Sequence, residues 1–262
     1  MTKIYKHITL VEILIVIGII SILASLLLPA LGAARKKSLV QVCAHKLKQA
    51  GYTITMYQHD NQGFYPGAGA FDTEVSYDDQ LADYDGRNMT EAQIKKIHGT
   101  DAPFMTKQYK CPLDTVPAND PAYMRRTYVI SQAFKFSPLA VGLVQDKDGS
   151  FAMKGSQVNE ASNTIVLWEF TYQWNKVGKG GNSVKSPGSA GVFGGVSNLD
   201  PAAVYNNFFH HDKKAGGNYL MGDTSVRSMS FFSTLKTVKS ENSNDGEYRG
   251  TIWDSGLPNP AW

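Results

Sequence analysis

The sequence predicts an α+β protein in which a long N-terminal helix packs on a small antiparallel β-sheet. Residues 8–31 form an apolar run with a single charge, Glu12, and residues 40–57 continue with apolar side chains at helical spacing. The remainder of the 262-residue chain contains four short segments of strand composition. We therefore expect a short basic leader at 1–7, the helix at 8–60 and a globular head at 61–262.

The apolar part of this helix is long enough to cross a membrane. Residues 13–34 are 22 consecutive uncharged positions, and a hydrocarbon core of about 30 Å takes about 20 helical residues. The core helix of a soluble protein is the alternative, but such helices are usually shorter and have a polar face. A secretory signal is disfavoured because only MTKIYKH precedes the run. Basic residues flank the run on both sides, so charge alone leaves its orientation open.

Two features within the span predict how the helix behaves. Pro29 has no amide proton, so we expect it to kink the helix or to break the hydrogen-bond ladder locally. Gly18, Ser21 and Ser25 recur at helical spacing, which favours close approach of helix backbones, with chance placement as the alternative.

The second half of the helix is amphipathic. Its apolar or small residues are spaced by three or four positions, at Val40, Cys43, Leu47, Ala50, Ile54 and Tyr57. Residues 60–63, Asp-Asn-Gln-Gly, supply the turn chemistry that ends the helix.

The head is predicted to be built on an antiparallel sheet. Strand composition occurs at residues 126–134, 163–170, 217–223 and 224–232, each bounded by turn-forming residues. A short helix capped by Thr90 is expected at 90–98. Residues 178–195 contain seven glycines and are expected to form an exposed loop, with partner binding as the alternative role.

The two cysteines are expected to form one disulfide. Cys43 lies on the apolar stripe of the helix and Cys111 lies in a loop before proline. Such a bond persists in oxidising compartments, and closing a loop of about 70 residues stabilises the folded chain by about 4 kcal/mol. Two buried free thiols are the alternative. The cysteine spacing gives no indication of zinc or redox chemistry.

The N-terminal residues carry a family resemblance. A short basic leader, then Thr9-Leu10-Val11-Glu12 and an apolar helix with a proline at 29, resembles type IV prepilins and type II secretion pseudopilins. The resemblance implies cleavage between His7 and Ile8 and methylation of the new N-terminus, although His7 stands where the family has Gly. It also implies that Glu12 pairs with the freed amine of a neighbouring subunit. The alternative is that Glu12 snorkels to the membrane interface beside the leader lysines.

The resemblance extends into the head in patches. Residues 46–66 look like the end of the first helix and the following turn in a pseudopilin-like group, and residues 111–114, Cys-Pro-Leu-Asp, resemble its Cys-Pro-Ser-Asp loop. The group closes with a His, nine residues, then Asp-Gly. Here His211 and Asp223 match loosely, with eleven residues between them and Thr224 in place of Gly.

Catalytic and cofactor patterns are not found. His210, His211 and Asp212 are sequence neighbours that do not share a face, and no zinc or carboxylate motif completes a site. Asp146, Asp148 and Gly149 resemble the beginning of a calcium loop, but Phe151 stands where that loop has glycine and no glutamate follows at the required distance. A tight Asp-Gly turn between strands is the favoured interpretation, and calcium binding stays open. We expect no enzyme activity, no metal and no cofactor.

Charge disfavours nucleic acid as a partner. The net charge is +3, and removing the two leader lysines from 26 basic residues leaves 24 against 23 acidic residues. Phosphate binding needs a basic excess, which this chain lacks.

The expected function is that of a non-enzymatic filament subunit. The resemblance implies an inner-membrane protein with its bulk outside, which is then packed helix by helix with identical or homologous subunits into a cell-surface or periplasmic fibre. Its partners would be a prepilin peptidase and an assembly platform with its ATPase. A pseudopilin of a short secretion piston is one alternative. Another is a monomeric membrane-anchored binding module that uses an aromatic face formed by Trp168, Trp174 and Trp253.

Overall fold

The computed structural model describes residues 9–67, 75–94, 107–132, 142–144, 152–178, 184–185, 211 and 216–234. The chain divides into two compact units, Met1–Gln41 and Val42–Trp262. The leader at 1–7, Ile8, the possible calcium loop at 146–151 and Trp253 lie outside the described residues.

Helix α1, Leu10–Asp60, is the long helix predicted from the sequence. It continues through Pro29. Because proline supplies no amide proton, the carbonyl of Ser25 has no helical partner at this point, and a kink there stays a prediction. The helix ends as predicted, since Gln62 and Gly63 both have positive φ (54° and 84°) and the Gly63 amide donates to the Gln58 carbonyl at 2.8 Å.

The sheet of the second unit contains four antiparallel strands and one short parallel edge. The strands are β1 (Tyr128–Ser131), β2 (Ile165–Glu169), β3 (Val184–Lys185), β4 (Gly217–Met221) and β5 (Val226–Met229). Their order is β3-β1-β2-β4-β5, and only the β1–β3 pair is parallel among the described strands. Each of the four predicted strand segments contains one of the antiparallel strands, so the α+β prediction is confirmed.

The prediction that residues 178–195 form an exposed loop is wrong at Val184 and Lys185. These two residues pair with Ile130 and Ser131 of β1. A strand of two residues is too short to give an alternating pattern. The glycines around Val184 also favoured a loop, although Val184 itself is β-branched. Residues 179–183 and 186–195 lie outside the described residues.

The core forms where the second part of α1 packs on the sheet. Cys43, Leu47, Ala50 and Ile54, all on the predicted stripe, are buried with core side chains of β1, β2 and β4. The approach is close at Gly51, where an added Cβ would lie 2.8 Å from Leu220 Cδ1 of β4. The face of α1 that packs on the head is therefore the one predicted from the three- and four-residue spacing of its apolar residues.

Short helices complete the described part of the head. They are α2 (Tyr77–Gln80), α3 (Glu91–Ile94) and α4 (Phe231–Thr234). Three 3₁₀ turns lie at Lys107–Tyr109, Gly155–Gln157 and Ala161–Asn163. Helix α3 begins after Thr90 as predicted, and the Thr90 amide donates to Gln93 Oε1 at 2.7 Å. Residues 95–98 of the predicted helix lie outside the described residues.

Candidate functional site

The first part of α1 is an exposed apolar surface. Every large apolar residue from Leu10 to Leu31 has between 51% and 76% of its surface exposed. By length and composition this helix can cross a membrane. An apolar surface of this extent is not stable in water, so it needs lipid or other protein surfaces around it.

Glu12, the one charge in this surface, is held by its own helix terminus. Its Oε2 accepts hydrogen bonds from the Thr9 amide and the Thr9 hydroxyl, both at 2.8 Å, and the Glu12 amide donates to Thr9 Oγ1 at 3.3 Å. This reciprocal pair is a capping box, which satisfies amides that the first helical turn leaves without partners. The sequence interpretation missed this role of Thr9, although Thr-x-x-Glu before an apolar run signals it.

The hydroxyl groups of the small residues in the span form hydrogen bonds within their own helix. Ser21 Oγ donates to the Ile17 carbonyl and Ser25 Oγ donates to the Ile22 carbonyl, each at 2.7 Å. Apart from its chain neighbours and the backbone of its own helix, no atom of the described residues lies within 4 Å of where a Cβ would stand on Gly18. These positions therefore offer a low, apolar surface that another helix backbone can approach closely.

The structure contains the predicted disulfide between Cys43 and Cys111, with Cα atoms 5.0 Å apart and a sequence separation of 68. Both cysteines are fully buried. The bond joins α1 to the loop before β1, so it fixes the helix to the head covalently.

Residues 111–114 are positioned by hydrogen bonds to the segment before β1. The Cys111 amide donates to Thr127 Oγ1 at 3.1 Å, and the Thr127 hydroxyl donates to Asp114 Oδ2 at 2.6 Å. The same carboxylate pairs with Arg125. Asp114 of the family-like loop is therefore a structural residue that holds Cys111 opposite Cys43.

His211 lies beside this disulfide rather than beside Asp223. Its Nε2 is 3.3 Å from Cys111 Sγ and 3.2 Å from Glu169 Oε1, and both His211 and Glu169 are buried. The Asn218 amide donates to Glu169 Oε2 at 3.1 Å. Asp223 is instead exposed in the β4–β5 turn, so the two residues of the proposed motif have different surroundings.

Potential metal ligands come together at the disulfide. Cys43, Cys111, Glu169 and His211 each offer one donor atom, and these four atoms lie within 4.8 Å of one another. As a metal ligand, His211 was considered from the sequence only with its neighbours His210 and Asp212, which lie outside the described residues. Because the four donors come from four separate segments, no local spacing could have indicated them.

Asp223 organises the β4–β5 turn. Its Oδ1 accepts from the Ser225 amide at 2.9 Å, and hydrogen bonds from Ser225 lower the pKa of its carboxyl. Thr224, which replaces the Gly of the resembling group, has a φ of 63°. The backbone there has the conformation that glycine adopts easily and a β-branched residue does not.

We therefore expect Thr224→Gly to stabilise the head by about 1 kcal/mol, because it removes the cost of a non-glycine residue in the left-handed region. Lys48 Nζ donates to the Thr224 carbonyl at 2.7 Å, and this bond survives the change. Thermal unfolding of the full chain in detergent measures the shift. Thr55→Gly, within α1, is the control and should destabilise. A lower melting temperature for Thr224→Gly would contradict the strain argument.

A buried ionic cluster surrounds Asp78, which belongs to α2. Asp78 pairs with Arg126, and its Oδ2 is 3.9 Å from Arg87 Nη1. Arg87 also binds Asp85 at 2.8 Å, and the Tyr109 hydroxyl donates to the same Asp85 oxygen at 2.8 Å. Burial alone would raise the pKa of Asp78, but the charges of Arg126 and Arg87 hold it below its ordinary value. The charged groups of the cluster pair with one another within the fold, although Arg87 Nη1 makes only the 3.9 Å ion pair with Asp78 and has no hydrogen-bond partner among the described residues. We therefore interpret the cluster as a structural element of the head.

The proposed aromatic binding face is wrong in part. Trp168 is fully buried within β2, whereas Trp174 has 42% of its surface exposed. Trp168 therefore packs in the core and cannot contribute to an external surface.

A long helix with an exposed apolar first part, together with a small antiparallel sheet, is the α+β arrangement of a pilin-like protein. Part of the chain is similar to the type IV wide pilus major component PilA4 of Thermus thermophilus, with 48% identity over 59 residues. The match covers 22% of this chain and 45% of the relative, so the chain spans less than half the length of that protein. No protein-family model matches the chain, and no solved structure matches it. The similarity supports a pilin-like identity.

Proposed function

We propose that the chain is a structural, non-enzymatic subunit of a type IV pilus-like or pseudopilus filament. The observation that carries this proposal is the exposed apolar surface from Leu10 to Leu31, which has a single carboxylate at its start. Similarity to a pilus component supports the same role. A helix of this kind can be surrounded first by lipid and then by the helices of neighbouring subunits.

In this role the subunit is held in the inner membrane by the first part of α1 and is then packed into a fibre. Burial of one apolar helix against another supplies the free energy of assembly, and the small positions Gly18, Ser21 and Ser25 allow close contact. A head-to-tail contact of this kind propagates without closing. The helix does not have to leave the membrane spontaneously, because an assembly platform and its ATPase drive its extraction.

Processing precedes assembly in this proposal. A prepilin peptidase cuts between His7 and Ile8, the new N-terminus is methylated, and the leader lysines Lys3 and Lys6 are lost. The head then lies outside the inner membrane. An extracytoplasmic position agrees with the buried disulfide, because such bonds persist where the compartment is oxidising.

Glu12 has a specific task in the packed filament. In the single chain its carboxylate accepts hydrogen bonds from Thr9 at an exposed helix terminus. Once neighbouring helices exclude water, a charged carboxylate without a counter-ion costs several kcal/mol. The freed amine of a neighbouring subunit supplies that counter-ion, so charge pairing both stabilises the contact and fixes the axial register of the helices.

We expect Glu12→Ala and Glu12→Gln both to insert in the membrane at normal levels and to give less than about a tenth of the normal filament yield. Glutamine is the informative variant because it keeps the capping box with Thr9 and removes only the charge. Electron microscopy of sheared surface filaments, with immunoblots of membrane and filament fractions, measures the effect.

Thr9→Ala is the matched control, since it removes the cap and keeps the charge, and its filament yield should fall much less. Normal filaments from Glu12→Gln would contradict charge pairing. If the unaltered protein forms no filaments in its native cell, the anchored binding module becomes the better explanation.

A further inference from the structure

The cluster around Cys43 and Cys111 can exist in a second state. We propose that, when the two cysteines are thiols, Cys43, Cys111, Glu169 and His211 bind one Zn²⁺, so that the disulfide and the zinc complex are alternative states of one site. This inference is independent of the filament role.

The donor set is one that zinc prefers. Structural zinc sites are tetrahedral and use thiolate, imidazole and carboxylate ligands, and soft thiolates favour zinc over magnesium or calcium. With zinc–sulfur and zinc–nitrogen distances of about 2.3 and 2.0 Å, neighbouring donors in a tetrahedron lie about 3.3 to 3.8 Å apart. The four donor atoms here lie within 4.8 Å of one another.

Two of the six donor–donor distances are already close to the zinc spacing in the oxidised protein. His211 Nε2 lies 3.3 Å from Cys111 Sγ and 3.2 Å from Glu169 Oε1. The changes required are separation of the two sulfurs to about 3.8 Å and adjustment of the remaining donor–donor distances, all within 4.8 Å, to the same range. We expect rotation of the Cys43 and Cys111 side chains about their Cα–Cβ bonds to provide this separation, with their Cα atoms 5.0 Å apart.

Hydrogen bonds from neighbouring residues hold the ligand side chains in place, as zinc sites require. Glu169 is oriented by Asn218, whose backbone amide donates to Oε2 at 3.1 Å and whose side-chain amide donates to Oε1 at 3.5 Å, while Oε1 also lies 3.2 Å from His211 Nε2. Cys111 is held by its amide bond to Thr127 Oγ1. All four ligand residues are buried, so water does not compete for the metal. A site closed by four protein ligands is structural rather than catalytic.

The exchange between the two states balances chemically. A phosphine reductant takes up the oxygen of one water molecule and becomes the phosphine oxide, and the two sulfurs leave the disulfide as thiols. Zn²⁺ then displaces one proton from each thiol and binds both thiolates. In the reverse direction a two-electron oxidant re-forms the disulfide and releases the metal.

The test uses the full-length chain in detergent, with and without a phosphine reductant, and Zn²⁺ as the probe. We expect one zinc per reduced chain by elemental analysis after gel filtration, and none in the oxidised chain. Co²⁺ in place of zinc should give thiolate-to-metal charge-transfer bands and tetrahedral d–d bands. The reduced Cys43→Ser variant should lose at least about a hundredfold in affinity, and His211→Ala at least about tenfold.

His45→Ala is the matched control, because His45 is exposed on the same helix and is not among the four donors. Its zinc affinity should equal that of the unaltered chain. His211→Cys keeps a metal donor and should restore binding if His211→Ala fails to fold. A reduced, folded chain that takes up no zinc would overturn the proposal, as would equal uptake by Cys43→Ser and the unaltered chain.

Discussion

Removing the disulfide with the double variant Cys43→Ala/Cys111→Ala is expected to lower the free energy of unfolding of the oxidised protein by about 4 kcal/mol. The bond closes a loop with a sequence separation of 68, and a cross-link over such a loop stabilises mainly by restricting the unfolded chain. For a domain of this size the melting temperature should fall by about 10 °C. The double variant avoids the single unpaired thiol that either single replacement leaves in the core.

The measurement is thermal unfolding of the full chain in detergent, in the presence of a metal chelator so that no zinc complex forms when the cysteines are reduced. Reductant should lower the melting temperature of the unaltered protein to near that of the double variant and should leave the double variant unchanged. Complete alkylation of both cysteines without reductant, together with a melting temperature that reductant does not move, would show that the bond is absent. It would also weaken the extracytoplasmic assignment.

The sequence was sufficient to predict α1 because both of its signals are local. Apolar continuity defines the exposed first part, and the three- and four-residue spacing from Cys43 to Ile54 defines the buried stripe. The antiparallel strands were also found, because β-branched and aromatic residues bounded by turns mark them. The two-residue strand at Val184 was missed because its pairing with β1 depends on tertiary contact alone.

Apart from the Cys43–Cys111 disulfide, which was predicted across a sequence separation of 68, the sequence indicated residues that act within one element better than partners that meet across the fold. The sequence indicates Glu12 and its position at the start of α1, and it could also have indicated the capping role of Thr9. His211 was expected to belong with Asp223, but it packs against Glu169 and Cys111 instead. Partners that are 42 and 100 positions apart produce no periodic pattern in the sequence. A single sequence also contains no covariation from which such a pair could be inferred.

The buried ionic cluster has the same non-local origin and leads to the second large expected effect. Asp78 and Arg126 are 48 positions apart in sequence and are both fully buried. Arg126 also donates from Nε to Asn175 Oδ1 at 2.7 Å, and its guanidinium lies 5.3 Å from the centre of the Tyr77 ring. It therefore joins α2 to the segment before β1 and to the turn after β2.

Arg126→Met is expected to destabilise the head by about 3 to 5 kcal/mol, because it leaves the buried Asp78 carboxylate with one counter-charge among the described residues, that of Arg87 at 3.9 Å. The double variant Asp78→Leu/Arg126→Met should lose less than the sum of the two single variants, since it leaves no buried charge of this pair unmatched. Arg227→Met is the matched control. Arg227 bonds at an exposed position with Asn163 in the described part of the chain, so its loss should cost less than about 1 kcal/mol.

The pH dependence gives a second measurement of the same pair. The pKa of Asp78 is lowered from 3.8 in the folded chain, where Arg126 and Arg87 outweigh the effect of burial. A carboxyl with a lowered folded pKa contributes stability that is complete above its unfolded pKa and is lost as pH falls through the folded value. The denaturant midpoint of the unaltered protein should therefore fall as pH drops from about 5 to about 3. Asp78→Asn should flatten this dependence, and an unchanged slope in that variant would show that other carboxyls cause the acid sensitivity.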